Sequence, residues 1–262
     1  MVFLLRESEH VQSYLVVGET RSALLDTGMG FCEIRPVVES LSNHEIIVLN
    51  SHWHFDHVGG NHEFEQIGIS ALEQHKLQHE ISSKELNGYV RSCLKDRIPL
   101  PDGFQAERYS IHKSSPSFIL AEGERVDLGG RTLEVIATPG HTHGSLSFLD
   151  SSTHSLFCAD LVYDGDLYAQ FDDSDLDEYI SSLQKLIARR GDFSTLFPSH
   201  NTAPLPVSFL DLVLDGLNKI RAGKESYAIH EDWGEAIQVY DFDQFRVLLK
   251  MPGSEGIRLF SI

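Results

Sequence analysis

Cysteine is scarce in this chain of 262 residues, which holds only Cys32, Cys93 and Cys158. An odd number at wide spacing excludes a disulfide framework, and no CxxC pair points to a thiolate site. Positive charge is also short. Against 39 Asp and Glu stand 21 Lys and Arg, a net charge of −18. Nucleic acid needs a basic footprint, so no nucleic-acid partner is expected. An anionic membrane surface is excluded on the same ground. No apolar run approaches ~18 residues, so no membrane span is expected. The stretch Met1–Glu7 is too short for the apolar part of a signal peptide, which makes a cytoplasmic protein the expectation.

What is present is a foldable α/β pattern. Hydrophobic residues make up 41% of the chain, enough for the core of one large domain or at most two. Residues 2–6, 11–17 and 21–25 read as a three-stranded meander. Apolar spacing and an early Pro36 predict a helix over 31–42, followed by a buried strand over 45–49. Asn61 reads as the N-cap of a helix reaching Gln66. Residues 67–70 then read as a strand and 71–79 as a helix. Residues 82–117 show weak periodicity, with Pro99, Pro101 and Pro116 among scattered charges. They read as an insertion or lid carrying substrate-selecting groups, locally basic through Arg91, Lys95, Arg97, Arg108 and Lys113.

Beyond this segment the pattern is regular. Short strands are predicted at 118–121, 125–128, 132–137, 146–149 and 155–159, with Gly129-Gly130 as a hairpin turn. Helices are predicted over 175–190, with Ser174 and Asp177 approximating a capping box, and over 206–222. A further strand ends at His200. Strands near 236–240 and 245–250 close the chain.

The chemistry concentrates in Ser51-His52-Trp53-His54-Phe55-Asp56-His57-Val58-Gly59-Gly60. Four metal-binding side chains fall within six positions, on a loop just past a predicted strand. No helix or strand puts all four on one face. His52 and His54 follow a strand-like period, while Asp56 and His57 suit a second centre. Glycines at 59 and 60 let backbone pass close to a bound ion.

This stretch resembles the His-x-His-x-Asp-His signature of the metallo-β-lactamase-fold hydrolases. With Asn61 it looks most like their glyoxalase II and acyl-CoA thioesterase branches. Ser51 stands where the family usually has Thr. The resemblance continues through Pro139-Gly140-His141-Thr142-His143-Gly144-Ser145, Ala159-Asp160 and Pro198-Ser199-His200, although the family usually has Gly at 159 and 199. It implies a four-layered αββα sandwich, with two mixed β-sheets packed face to face and helices outside. Residues 1–223 would form the catalytic domain, and 224–262 a short C-terminal β appendage.

The resemblance also implies two metal sites. His52, His54 and His141 would hold one ion, and Asp56, His57 and His200 the other, with Asp160 bridging. His143 would not ligate. Asp26, at the end of the third strand, would brace the histidine loop without touching metal. Imidazole and carboxylate donors without thiolate favour two Zn²⁺ ions per chain, with Mn or Fe as alternatives. Two such ions make hydroxide available at neutral pH. Asp56 would orient it, and Tyr163 or Tyr168 could donate to the oxyanion. The expected activity is hydrolysis of a thioester, with an acyl-CoA-like small molecule as partner. Lactonase and S-lactoylglutathione hydrolase are the nearest alternatives. A di-iron oxidoreductase and a non-catalytic metal-binding protein belong to other classes.

Overall fold

The computed structural model describes residues 1–8, 10–95 and 100–260, with side chains described for all of these except 92–95. Arg97 and Pro99 therefore lie outside the described residues, as does the side chain of Lys95. The chain divides into two units, Met1–Leu133 and a second from Glu134 onward.

The first unit is built on a six-stranded sheet in chain order, β1 (Val2–Glu7), β2 (Val11–Val17), β3 (Arg21–Leu25), β4 (Glu45–Leu49), β5 (Ile67–Ser70) and β6 (Phe118–Leu120). The first three strands pair antiparallel as the predicted meander, and the rest add in parallel. Leu15, Val16, Leu24, Val48 and Leu49 are fully buried. Each contributes about 1.5–3 kcal/mol of hydrophobic stabilisation. Three helices accompany the sheet, α1 (Arg35–Leu41), α2 (Phe55–Val58) and α3 (Ser83–Lys95).

Four local expectations change here. Helix α1 starts at Arg35 rather than at residue 31, because remote carboxylates take the backbone donors before it. Glu7 accepts from the N–H groups of Met29 and Phe31, and Glu63 from those of Ile34 and Arg35. Asn61 caps no helix through Gln66. Its buried amide donates to Asn50 and accepts from Thr27, and only a 3₁₀ turn, Asn61–Glu63, follows. The predicted helix over 71–79 is a series of turns with one 3₁₀ segment, Lys76–Gln78, where Lys76 lies 4.2 Å over the Trp53 ring. Helix α3 was hidden in the poorly patterned segment. Its start carries a capping box, in which Ser82 N donates to the Glu85 carboxylate (2.9 Å) and Glu85 N to Ser82 Oγ (3.4 Å).

A second sheet has the order β13-β12-β10-β9-β8-β7, comprising β7 (Arg125–Asp127), β8 (Thr132–Ala137), β9 (Leu146–Asp150), β10 (Ser155–Ala159), β12 (Thr195–Pro198) and β13 (Leu205–Pro206). A third, four-stranded sheet joins β11 (Asp166–Ala169) to the chain's final strands in the order β11-β16-β15-β14. Strands β14 (Ala228–Asp232), β15 (Glu235–Asp241) and β16 (Arg246–Lys250) form its antiparallel part, and β16 runs parallel to β11. Helices α4 (Leu176–Ala188) and α5 (Ser208–Arg221) pack on each other. Tyr179, Leu183 and Leu186 meet Phe209, Val213 and Leu217 in one buried cluster that also includes Val247 of β16. Asp175, not Ser174, caps α4, accepting from the N–H groups of Asp177 and Glu178. These strands and helices make a mixed α/β fold with several mixed sheets.

Candidate metal centre

In the first unit every expected metal ligand follows β4. Asp26 terminates β3 in a left-handed conformation (φ 61°). Its buried carboxylate accepts from Ser51 N at 2.7 Å, Ser51 Oγ at 2.6 Å and His57 Nδ1 at 2.9 Å. Ser51 thus supplies the hydroxyl that Thr brings in the resembled family. Ser51 Oγ also lies 2.9 Å from His52 Nδ1. A hydroxyl has one hydrogen, and a carboxylate can only accept. Oγ therefore donates to Asp26, and His52 Nδ1–H donates to Oγ. The proton of each ring sits on Nδ1, leaving the lone pair of His52 and of His57 on Nε2. This is the arrangement that carboxylate-supported metal ligands adopt.

The ring nitrogens of His52 come within 4.8 Å of those of His54 and of His57. His54 precedes α2, and Asp56 and His57 lie on it, so the last two expected ligands belong to a one-turn helix rather than to the loop. His57 Nε2 is 3.6 Å from Asp56 Oδ2. The glycines after them allow close backbone packing. A Cβ on Gly59 would lie 2.2 Å from the carbonyl of Met29, and one on Gly60 2.9 Å from the Thr27 carbonyl oxygen. One residue escaped the sequence reading. His10, in the β1–β2 turn, brings Nε2 to 3.7 Å from Asp56 Oδ2. No motif marks it.

The second unit holds the other three expected ligands. Gly140 (φ 141°) approaches α4 so closely that a Cβ would lie 2.4 Å from Tyr179 Cα. This turn presents His141. Its carbonyl accepts from Ser174 Oγ (2.7 Å), and its Nδ1–H donates to the carbonyl of Tyr168 (2.7 Å). The lone pair of His141 is again on Nε2. His143 points elsewhere, half exposed and 2.8 Å from Glu178. Asp160 follows Ala159, whose φ of 46° is the left-handed geometry that the family's usual Gly would adopt without strain. Asp160 Oδ2 lies 3.6 Å from His141 Nε2 and 3.1 Å from His200 Nε2.

His200 is held from both sides. Ser199 N donates to the Ala159 carbonyl, and beyond it Thr202 N (2.9 Å) and Thr202 Oγ1 bind the Asp164 carboxylate. Tyr163 is buried with its ring 5.1 Å from that of His200, and its hydroxyl donates to the Asp166 carbonyl. Tyr168 is less buried and stacks on Phe171. Burial, reinforced by Asp160, pushes the phenols of Tyr163 and Tyr179 well above the ordinary range, so both remain donors.

A family model decides the family. Residues 8–200 match the metallo-beta-lactamase superfamily. The chain belongs to that superfamily. Within it, the human acyl-coenzyme A thioesterase MBLAC2 is 28% identical over 205 residues, 71% of either chain. Hydroxyacylglutathione hydrolase GloC of Haemophilus influenzae is 24% identical over 203 residues, covering 76% of this chain and 80% of GloC. Among solved structures, an archaeal metallo-β-lactamase superfamily protein from Sulfolobus tokodaii shares the fold with a TM-score of 0.61. It is 20% identical and covers 89% of this chain and 90% of its own. Superfamily membership supports a metal-dependent hydrolase, and the histidine and aspartate clusters fit a metal site. Among the described residues, no helix is long and apolar enough to cross a membrane.

Proposed function

We propose that the protein is a dinuclear zinc hydrolase of thioesters, acting on an acyl-CoA-like substrate. His52, His54 and His141 would hold one ion, Asp56, His57 and His200 the other, and Asp160 would serve both. One observation carries this reading: His52, His57 and His141 each commit Nδ1–H to a neighbour and keep the Nε2 lone pair for a cation. A donor set of imidazoles and carboxylates without thiolate suits zinc in a hydrolytic role. When bound, the ions supply the Lewis acidity that polarises a thioester carbonyl and makes water nucleophilic at neutral pH.

The chain's own groups do the rest. Asp56 orients the attacking water and accepts its proton. Asp26, through Ser51 and His57, keeps the imidazoles in the binding tautomer. The leaving thiolate is stable enough to depart with little acid assistance. Tyr163 reaches the substrate oxygen only by releasing the Asp166 carbonyl. Tyr163→Phe should therefore lower turnover with metal content unchanged if it donates there, and change neither if it only packs. Cys32 and Cys158 are free thiols, which supports a cytoplasmic setting.

The likeness to MBLAC2 supports the acyl-CoA class. The likeness to GloC supports a second reading, hydrolysis of a glutathione thioester. Thiol release from palmitoyl-CoA by zinc-loaded protein, with Asp56→Ala as control, is the test. Metal-dependent release that the variant loses is expected. Release from S-lactoylglutathione alone would move the substrate to the second reading. No release from either, with two zinc ions bound, would overturn the thioesterase assignment.

A further inference from the structure

We propose that His10 is an additional ligand of the metal held by Asp56 and His57, supplied by a hairpin turn outside all the family's ligand segments. This rests on the reading that Asp56 and His57 bind a metal. The argument is geometric. His10 Nε2 stands 3.7 Å from Asp56 Oδ2, beyond the roughly 2.7–3.2 Å of an N–H···O hydrogen bond. Two donors on one zinc, at bonds of about 2.0–2.2 Å and a tetrahedral angle, lie about 3.3–3.6 Å apart. Two pairs of expected ligands have this spacing, with His57 Nε2 3.6 Å from Asp56 Oδ2 and His141 Nε2 3.6 Å from Asp160 Oδ2. His10 stands at essentially the same separation.

The fold holds His10 there. Ser8 takes a left-handed conformation (φ 51°), and His10 N donates to the Glu7 carbonyl at 3.0 Å, closing a tight turn. The side chain of Glu7 grips Met29 N and Phe31 N at 2.6 and 2.7 Å, which ties the end of β1 to the neighbouring loop. The ring of His10 packs edge-on against Tyr89 of α3 at 5.5 Å, and the same tyrosine packs against Phe55 at 4.8 Å. Phe55 immediately precedes Asp56 on α2. One aromatic ring therefore sets both the histidine and the turn that carries its carboxylate partner. The segment that bears Tyr89 would thus act on the metal through His10, without touching it.

The test uses the full chain loaded with zinc, and separately with cobalt, for the wild type, His10→Ala and His10→Phe. The Phe variant keeps an aromatic edge on Tyr89 while removing the donor. Competition with a chromophoric chelator should show one of the two zinc ions bound about 10-fold or more less tightly in both variants. The visible absorption of the cobalt forms should change at that site. Unchanged affinity and an unchanged cobalt spectrum, with two ions still bound, would overturn the assignment of His10 and leave the dinuclear reading standing. A single ion in the wild type would overturn the dinuclear reading, with His10 then standing only if both variants weaken that ion, and no bound ion would overturn both.

Discussion

Replacing Asp26 with Asn changes one atom and should reverse the proton order of two histidines. The carboxylate accepts three hydrogen bonds, from Ser51 N, Ser51 Oγ and His57 Nδ1. An amide accepts on one side only. With its oxygen facing Ser51 N, its NH₂ faces Ser51 Oγ and His57 Nδ1. His57 must then accept on Nδ1 and carry its proton on Nε2. Ser51 Oγ, now an acceptor from the amide, turns its hydrogen toward His52 Nδ1, and His52 switches as well. Rotating the amide only moves the conflict to Ser51 N–H, a donor that cannot change. Each imidazole can still bind metal by leaving a buried donor pair unsatisfied, at about 1–3 kcal/mol. Both zinc affinities should therefore fall about 10–100-fold. Packing is nearly unaltered, so the folded state persists. Chelator competition measures the affinities, and ¹⁵N NMR of the metal-free imidazoles reports the tautomers. Wild-type affinity at both sites, or Nδ1–H retained in both rings, would refute the reasoning.

Other substitutions test the frame around the site. Leu183→Ala should cost about 2–5 kcal/mol, read from urea denaturation, because the side chain is fully buried between α4 and its neighbours. Ala159→Gly should raise stability by about 0.5–1 kcal/mol, since it removes a Cβ from a left-handed residue at the cost of unfolded-state entropy. Metal content should be unchanged. Burial, with Asp160 adding to it, pushes the Cys158 thiol up to about 12. Its thiolate fraction at pH 8 is then about 10⁻⁴ and rises tenfold per pH unit below that value. Iodoacetamide at pH 8 should therefore modify exposed Cys32 and spare Cys158 in the native protein, as peptide mass mapping would show.

The strands of the first meander, β4, β5 and the hairpin of β9 and β10 were legible because apolar and turn residues alternate there over short distances. Helices α4 and α5 were legible from their apolar stripes. Helix α3 was less so, although its Ser82 and Glu85 form a readable capping box. Strand β11 was hidden because it pairs with β16, about eighty positions away, and its four residues carry little pattern. The family's ligand motifs were visible in chain order. His10 was not, since a lone histidine in a turn carries no signature.

The sequence alone determined the donors' chemistry and the turns that present them, because ligand motifs, caps and hydrophobic periods act over a few residues. Tertiary structure alone decided which ring nitrogen keeps its lone pair, where α1 begins and what stands beside Asp56. Asp26 meets Ser51 and His57, Glu63 meets Arg35, and His10 meets Asp56 across intervals of 25 to 46 positions. Packing of strands and helices closes those intervals, and no local propensity encodes which side chains will face each other once it has.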